Sequence, residues 1–134
     1  MFPVEKQNVS KGYEMKIERF EDIEAWMMAR ELMQQIYPLT QNENFAKDFG
    51  LKNQITRVAI SIMANIAEGF DSQTDLVFIR YLYNAKDSAS EVQSHLYIAF
   101  DLEYITDKEF RQCYDYCESA RNLIGGFIKY LSKG

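Results

Sequence analysis

The stretch Ser61-Ile62-Met63-Ala64-Asn65-Ile66-Ala67-Glu68-Gly69 is the segment of this chain that says most about its fold. Its two isoleucines, Ile62 and Ile66, share one helical face, whereas Ser61, Asn65 and Glu68 lie beside that face. Polar side chains that border a buried stripe need hydrogen-bond partners, so we expect these three to bond to neighbouring helices. The segment therefore predicts an internal helix of a helical bundle, and it indicates no reaction.

Length and charge limit what the rest of the chain can be. A chain of 134 residues with 47% apolar residues is long enough for one globular domain with its own core. Its formal net charge is −5, from 20 acidic and 15 basic residues. Because non-specific nucleic-acid binding depends on Lys and Arg neutralising phosphates, this balance disfavours a generic nucleic-acid binder.

The cysteines and the apolar stretches indicate the compartment. Cys113 and Cys117 are four residues apart, which places both on the buried face of the last amphipathic segment. Neither a C-x-x-C motif nor a second Cys/His pair accompanies them, so we interpret them as buried thiols in a reducing cytoplasm. No apolar stretch has the length of a membrane span, and residues 1–16 lack the apolar core of a signal peptide. We therefore expect a cytoplasmic protein with no membrane partner.

Apolar residues at helical spacing predict four helices, over residues 23–37, 45–69, 75–103 and 106–131. We expect Asp22 to cap the first helix and Pro38 to end it. Gly69 is predicted to end the second helix in a left-handed conformation, and Ser72 or Thr74 to cap the third. A capping box of Thr106 and Glu109 opens the fourth.

These elements predict an all-α fold, an antiparallel up-down-up-down four-helix bundle over residues 21–134. Residues 1–20 show no sustained period and predict a short irregular N-terminal arm. Gly125 and Gly126 together cost the fourth helix about 2 kcal/mol of propensity relative to alanine. We expect a close approach of another helix, or a slight kink, at this pair.

Two predicted helices carry a second apolar stripe away from the core. A monomeric bundle needs only one buried face per helix, so a second stripe predicts contact between subunits of a homo-oligomer. The alternative is that the tyrosines cover wide flanks within one subunit. The candidate interface residues are Ile60 and Ala67 on the second helix, and Ile79, Tyr83, Tyr97 and Tyr104 on the third.

The sequence lacks the constellations of common active sites. His95 is the only histidine, and one histidine cannot supply the two Glu-x-x-His pairs of a di-iron bundle. Ser61 and Ser88 lie within predicted helices and outside any Gly-x-Ser-x-Gly turn, and no phosphate-binding glycine loop is present. We predict that the chain is not an enzyme and holds neither a metal nor a cofactor.

The block Asn65-Ile66-Ala67-Glu68-Gly69, with the flanking pattern from Gly50 to Ile62, resembles the bacterial four-helix-bundle family of 23S ribosomal RNA intervening-sequence proteins. Phe20–Trp26 resembles the first helix of that family and Phe78–Leu82 its third, and the similarity covers about residues 19–132. The resemblance implies a homopentamer without established enzymatic activity. It also implies a relation to the accessory proteins of diversity-generating retroelements, which are basic pentamers that bind nucleic acid.

Four positions depart from the family pattern. The family usually has a basic residue where Thr56 stands, a proline where Met63 stands, and glycines where Asp87 and Glu103 stand. The lost positive charge and the added acids weaken any attraction to RNA.

Two functions remain open. The first is a non-catalytic oligomeric scaffold or adaptor, pentameric by resemblance, whose partner is another protein. The alternative is an RNA-binding accessory protein in which oligomerisation gathers Lys52, Arg57, Arg80 and Lys86 into a basic ring. A third interpretation of these four residues is ordinary solvated surface charge.

Overall fold

The computed structural model describes residues 4–8 and 13–133, and the side chains of residues 17–133. Within these residues the protein has five α-helices, one 3-10 turn and a two-stranded hairpin. The helical class predicted from the sequence is confirmed from residue 20 onward. In chain order the elements are β1 (Val4–Asn8), β2 (Tyr13–Ile17), the 3-10 turn (Phe20–Asp22), α1 (Glu24–Leu39), α2 (Glu43–Lys47), α3 (Phe49–Phe70), α4 (Asp75–Asp101) and α5 (Asp107–Lys133).

The prediction of an irregular N-terminal arm over residues 1–20 is wrong for residues 4–8 and 13–17, which form strands, whereas residues 1–3 and 9–12 lie outside the described residues. β1 and β2 pair antiparallel, with Val4 opposite Ile17 and Asn8 opposite Tyr13. The sequence signal for this hairpin is weak, because only β2 alternates apolar and polar residues over its five positions. Ile17 belongs to the same buried core as the helices, so the hairpin is anchored to the rest of the molecule at its base.

Three details of the first predicted helix and its linker are also wrong. Asp22 does not cap α1; its Oδ2 accepts hydrogen bonds from the backbone N–H groups of Glu18 and Arg19, at 3.0 and 3.1 Å, and so stabilises the 3-10 turn. α1 continues one residue beyond Pro38. The short helix α2 covers the end of the predicted linker, residues 39–45, and the start of the predicted second helix, so α3 begins at Phe49 and not at residue 45. Phe45 is buried in the core and fixes this segment.

The predicted caps at the starts of the third and fourth helices, α4 and α5, are confirmed. Thr74 Oγ1 accepts a hydrogen bond from the backbone of Val77 at 3.2 Å and caps α4. The capping box of α5 is confirmed, since Thr106 Oγ1 accepts from Glu109 N at 3.1 Å and Glu109 Oε1 accepts from Thr106 N at 2.9 Å. Short polar side chains at these positions satisfy amides that have no partner inside the helix.

The four long helices contribute to one hydrophobic core, and they pack in a cycle in which α1 contacts α3 and α5, and α4 contacts the same two helices. Ser61 lies against Ser88 and Phe70 against Phe78, so α3 and α4 run antiparallel. α4 and α5 also run antiparallel, because Phe78 contacts Phe127 whereas Gln93 contacts Glu118. α1 and α4 therefore occupy opposite corners of the cycle.

Gly69 does not have the predicted role of helix terminator, since α3 continues through it to Phe70. A Cβ at Gly69 would lie 2.7 Å from Phe78 Cδ1 and 2.7 Å from Tyr81 Cβ, closer than real Cβ atoms approach their neighbours. The glycine is therefore required for the close approach of α4 to α3.

The close approach expected at the glycine pair in α5 is not found among the described residues, and the alternative of a slight kink stays a prediction. A Cβ at Gly125 would meet Lys86 Nζ at 3.8 Å, an ordinary contact, and a Cβ at Gly126 would meet no described atom within 4 Å. No close approach within the subunit explains the pair, and the surface of α5 is open at Gly126.

Candidate interaction surfaces

Polar residues of the segment from Ser61 to Gly69 stabilise the contact between α3 and α4. Ser61 Oγ and Ser88 Oγ share a hydrogen bond of 3.0 Å between the two helices. Asn65 Nδ2 donates to the carbonyl of Ser61 at 2.8 Å and to its hydroxyl at 3.0 Å, so its bonds stay within α3. Glu68 is exposed, and within residues 17–133 it makes no inter-helix hydrogen bond, so that part of the prediction is wrong. The hydrogen bonds of Ser61 and Asn65 are therefore structural, within α3 and between α3 and α4.

The outer side of α3 forms an apolar surface together with α1. The side chain of Ile60 is 49% exposed, and Ala67 beside it is half-buried. Met63, on the α1 side of the same helix, lines a shallow groove of about 430 Å³. We call this surface the α1/α3 groove; its lining residues are Arg30, Met33, Gln34, Tyr37, Pro38 and Met63.

A second apolar surface lies on the side of α4 that faces α5. Tyr83 is 51% exposed, and Ile79, one turn earlier, packs partly against the core. Lys86 continues this side of α4 and reaches Gly125 of α5. Because α1 and α4 occupy opposite corners, this α4/α5 surface and the α1/α3 groove face away from each other.

The other two candidate tyrosines, Tyr97 and Tyr104, lie apart from Ile79 and Tyr83. Tyr97 is 51% exposed, and its ring packs on Phe110 at 4.8 Å and on Tyr114 at 5.9 Å between ring centroids. Tyr104 instead donates a hydrogen bond to Asp48 Oδ2 at 2.9 Å and stacks on Phe45 at 5.3 Å. The bond to this carboxylate raises the pKa of Tyr104. Tyr104 therefore serves the subunit's own packing, the alternative left open for the tyrosines.

The four candidate nucleic-acid residues do not form one patch. Since Ser61 lies against Ser88, Arg57 is level with Val92 of α4, roughly 18 Å along the helix axis from Arg80 at a rise of 1.5 Å per residue. Lys52 lies still further from Arg80. A single subunit thus separates Lys52 and Arg57 from Arg80 along the bundle, and Lys86 lies midway, about 9 Å along the axis from the levels of both Arg57 and Arg80.

Charge on the α4 and α5 pair is segregated along its length, which the linear sequence conceals. Residues 91–118, around the turn between the two helices, carry seven carboxylates against two cationic side chains, a net charge of −5. Residues 76–90 and 119–133, paired at the other end, carry five cationic side chains against one carboxylate, a net charge of +4. We call these the acidic half and the basic half. The basic half contains Arg80, Lys86, Arg121, Lys129 and Lys133.

Both thiols are free and buried, as predicted. Burial, with a smaller contribution from the nearby Glu109 charge, raises the pKa of Cys113 to about 11, and burial also raises the pKa of Cys117. The thiols are therefore protonated at neutral pH and are poor nucleophiles and poor metal ligands. Across the described part of the chain, no group of three or more His, Cys, Asp or Glu side chains is placed to hold a metal ion. None of the described helices has the length and apolar character needed to cross a membrane.

Comparison with known proteins agrees with this architecture. The model of the 23S rRNA-intervening sequence protein family matches residues 21–126, which is more than half of the chain. The chain therefore belongs to this family, as the resemblance predicted. None of the curated proteins matches it.

A solved structure supports the same assignment. It is the 1.70 Å crystal structure of a protein of unknown function from the S23 ribosomal protein family of Bacteroides thetaiotaomicron, similar to this chain with a TM-score of 0.71 and 28% sequence identity. The similarity covers 78% of this chain and 98% of the other. The N-terminal hairpin precedes the residues matched by the family. Neither comparison names a catalytic activity.

Proposed function

We propose that this chain is a non-catalytic, homo-oligomeric scaffold or adaptor of the cytoplasm, and that its partner is another protein. The observation that carries the proposal is the presence of two apolar surfaces, the α1/α3 groove with Ile60 and the α4/α5 surface with Tyr83, on opposite sides of one subunit. Exposed apolar surface of this kind is characteristic of sites that contact other proteins. Protonated, buried thiols fit a reducing compartment.

We infer that the four long helices form an antiparallel up-down-up-down bundle. Two observations support this arrangement: α3, α4 and α5 alternate in direction, and α1 completes the cycle by packing on both α3 and α5. The segment from Asn42 to Asp48, which includes α2, is long enough to return the chain from α1 to α3.

The two surfaces differ in composition, which determines the symmetry of the assembly. A twofold dimer pairs one patch with its own copy, whereas two different patches pair head to tail and close into a ring when the rotation permits. We propose that the α1/α3 groove of one copy receives the α4/α5 surface of the next. The family resemblance supports five copies in the ring.

Substitution of Ile60 tests this assembly. Because its side chain is 49% exposed, Ile60→Arg leaves the subunit core intact but places a charge in the proposed interface. We expect light scattering to show smaller particles for Ile60→Arg, and an unchanged mass for the control Gln54→Arg, which lies exposed on another side of α3. If both variants and the unmodified chain have equal masses, Ile60 does not lie in the interface between copies.

The alternative function, RNA binding by an accessory protein, is favoured by one observation. The fold collects Arg80 and Lys86 with Arg121, Lys129 and Lys133 in the basic half, and a ring would repeat that half in every subunit. Repeated weak sites bind more tightly through multivalency than one site does. The acidic half opposes this function, since it repels phosphate.

A further inference from the structure

An apolar strip crosses the outer side of α4 within the acidic half. Tyr97, Ile98 and Leu102 are 51, 44 and 51% exposed, and Ile98 and Leu102 are one helical turn apart. The ring of Tyr97 packs against Phe110 and Tyr114, and Phe100 packs against Phe110 at 5.2 Å between ring centroids. The ring of Tyr97 therefore belongs to a cluster of aromatic rings. We call these three residues the α4 strip.

Two exposed carboxylates adjoin the α4 strip. Asp101 lies one turn after Tyr97 on the same side of α4, and Glu103 directly follows Leu102. Both carboxylates are exposed. Of the two cations in the acidic half, Arg111 is paired with Asp107 at 2.8 Å. The apolar surface thus has a negatively charged margin.

We propose that the α4 strip is a docking surface for a Lys- and Arg-rich amphipathic segment of a partner protein, an inference that rests on the scaffold function proposed above. The apolar residues of such a segment would cover Ile98 and Leu102, while its cations would meet Asp101 and Glu103. An arginine of the segment can also stack on the half-exposed ring of Tyr97. Charge complementarity selects this occupant, because nucleic acid and a second acidic half are both repelled.

A peptide-binding experiment with the full chain tests the proposal. The probe is a fluorescent synthetic amphipathic helix of about 15 residues built from Lys and Leu, which offers an apolar face and a cationic face. One comparison peptide replaces Lys by Glu, and another replaces Leu by Ser. We expect saturable binding of the Lys/Leu peptide that weakens as salt is added, and much weaker binding of the other two.

A matched pair of variants locates the site. Ile98→Ser with Asp101→Asn removes one apolar and one charged contact from the strip. Leu76→Ser with Asp75→Asn also removes one apolar and one charged side chain, but at the opposite end of α4, where Leu76 is 71% exposed. We expect the first double variant to weaken peptide binding by about tenfold or more and the second by less than about twofold.

Several results would overturn the proposal. They are no binding of the Lys/Leu peptide, equal binding of the Ser-containing peptide, or equal losses in the two double variants. A changed mass of the Ile98→Ser, Asp101→Asn variant in light scattering would show that the strip is instead an interface between copies. Failure of the scaffold proposal is distinguishable, because a monomeric chain that still bound the peptide at the strip would contradict only the assembly.

Discussion

Single residues set the distance between helices in this fold, and Gly69 is the clearest case. The missing side chain lets Phe78 and Tyr81 of α4 occupy the space where a Cβ would stand. Gly126 of α5 lies in open space, where a Cβ would meet no described atom within 4 Å. The two glycines are both helical, so their substitution separates the effect of packing from that of helix propensity.

We expect Gly69→Ala to lower the free energy of unfolding by about 1 to 3 kcal/mol, because helix α4 must shift to accept the methyl group. Gly126→Ala should raise it by about 0.5 to 1 kcal/mol, because alanine favours the helix and nothing obstructs it. Urea unfolding followed by circular dichroism measures both. A Gly69→Ala protein as stable as the unmodified chain would show that the helices do not approach as closely as described.

Glu103 is the described non-glycine residue with a positive φ, 62°. It follows α4, where Glu103 N donates to Phe100 O at 2.9 Å and Tyr104 N to Ala99 O at 2.9 Å, so the end of the helix requires a left-handed residue. Glycine adopts this conformation without cost, whereas a residue with a Cβ loses about 1 kcal/mol.

Glu103→Gly is therefore expected to raise the free energy of unfolding by about 1 kcal/mol. The same substitution at Glu91, exposed in the interior of α4, should lower it by about 0.5 to 1 kcal/mol. Denaturant midpoints of the two variants give the comparison. A loss of stability in Glu103→Gly would mean that its carboxylate contributes more than the strain costs.

Helices are the elements that the sequence specifies best. Their apolar period, together with caps such as Thr74 and Thr106, predicts α3, α4 and α5 to within a few residues. The hairpin and α2 are missed because five-residue elements hold too little periodicity, and α2 is fixed by the burial of Phe45. The role of Gly69 could not be predicted, since it depends on the residues of another helix.

The candidate surfaces were only partly predictable for the same reason. Helical position alone places Ile60 and Tyr83 away from the core. The acidic and basic halves become visible only when the antiparallel pairing brings residues 91–103 beside residues 104–118. For that reason the prediction from the sequence grouped Lys52 and Arg57 with Arg80, whereas the fold places Arg80 at the end of α4 that pairs with the C-terminal part of α5.

The basic half yields a test of the RNA alternative at this scale. If the chain binds structured RNA, Arg80→Gln with Lys129→Gln should reduce the slope of log affinity against log salt by up to about 2, whereas Lys52→Gln with Arg57→Gln should change it little. Filter binding across a salt series provides the slopes. A larger effect of Lys52 and Arg57 would favour the basic ring inferred from the sequence.

At the scale of the whole molecule, one subunit presents apolar surfaces on two opposite sides and charges of opposite sign at the two ends of its α4 and α5 pair. A head-to-tail ring would cover both apolar surfaces and present every acidic half at one level and every basic half at another. Such a ring provides several identical docking surfaces, which suits a scaffold.

The mass of the purified chain in solution at micromolar concentration, by light scattering or native mass spectrometry, distinguishes a closed ring from a monomer or a dimer. We expect a single closed species of about five times the chain mass of 15.7 kDa, reduced by Ile60→Arg and retained by Gln54→Arg. A species of 15.7 kDa for the unmodified chain, or a dimer that Ile60→Arg leaves intact, would contradict this expectation.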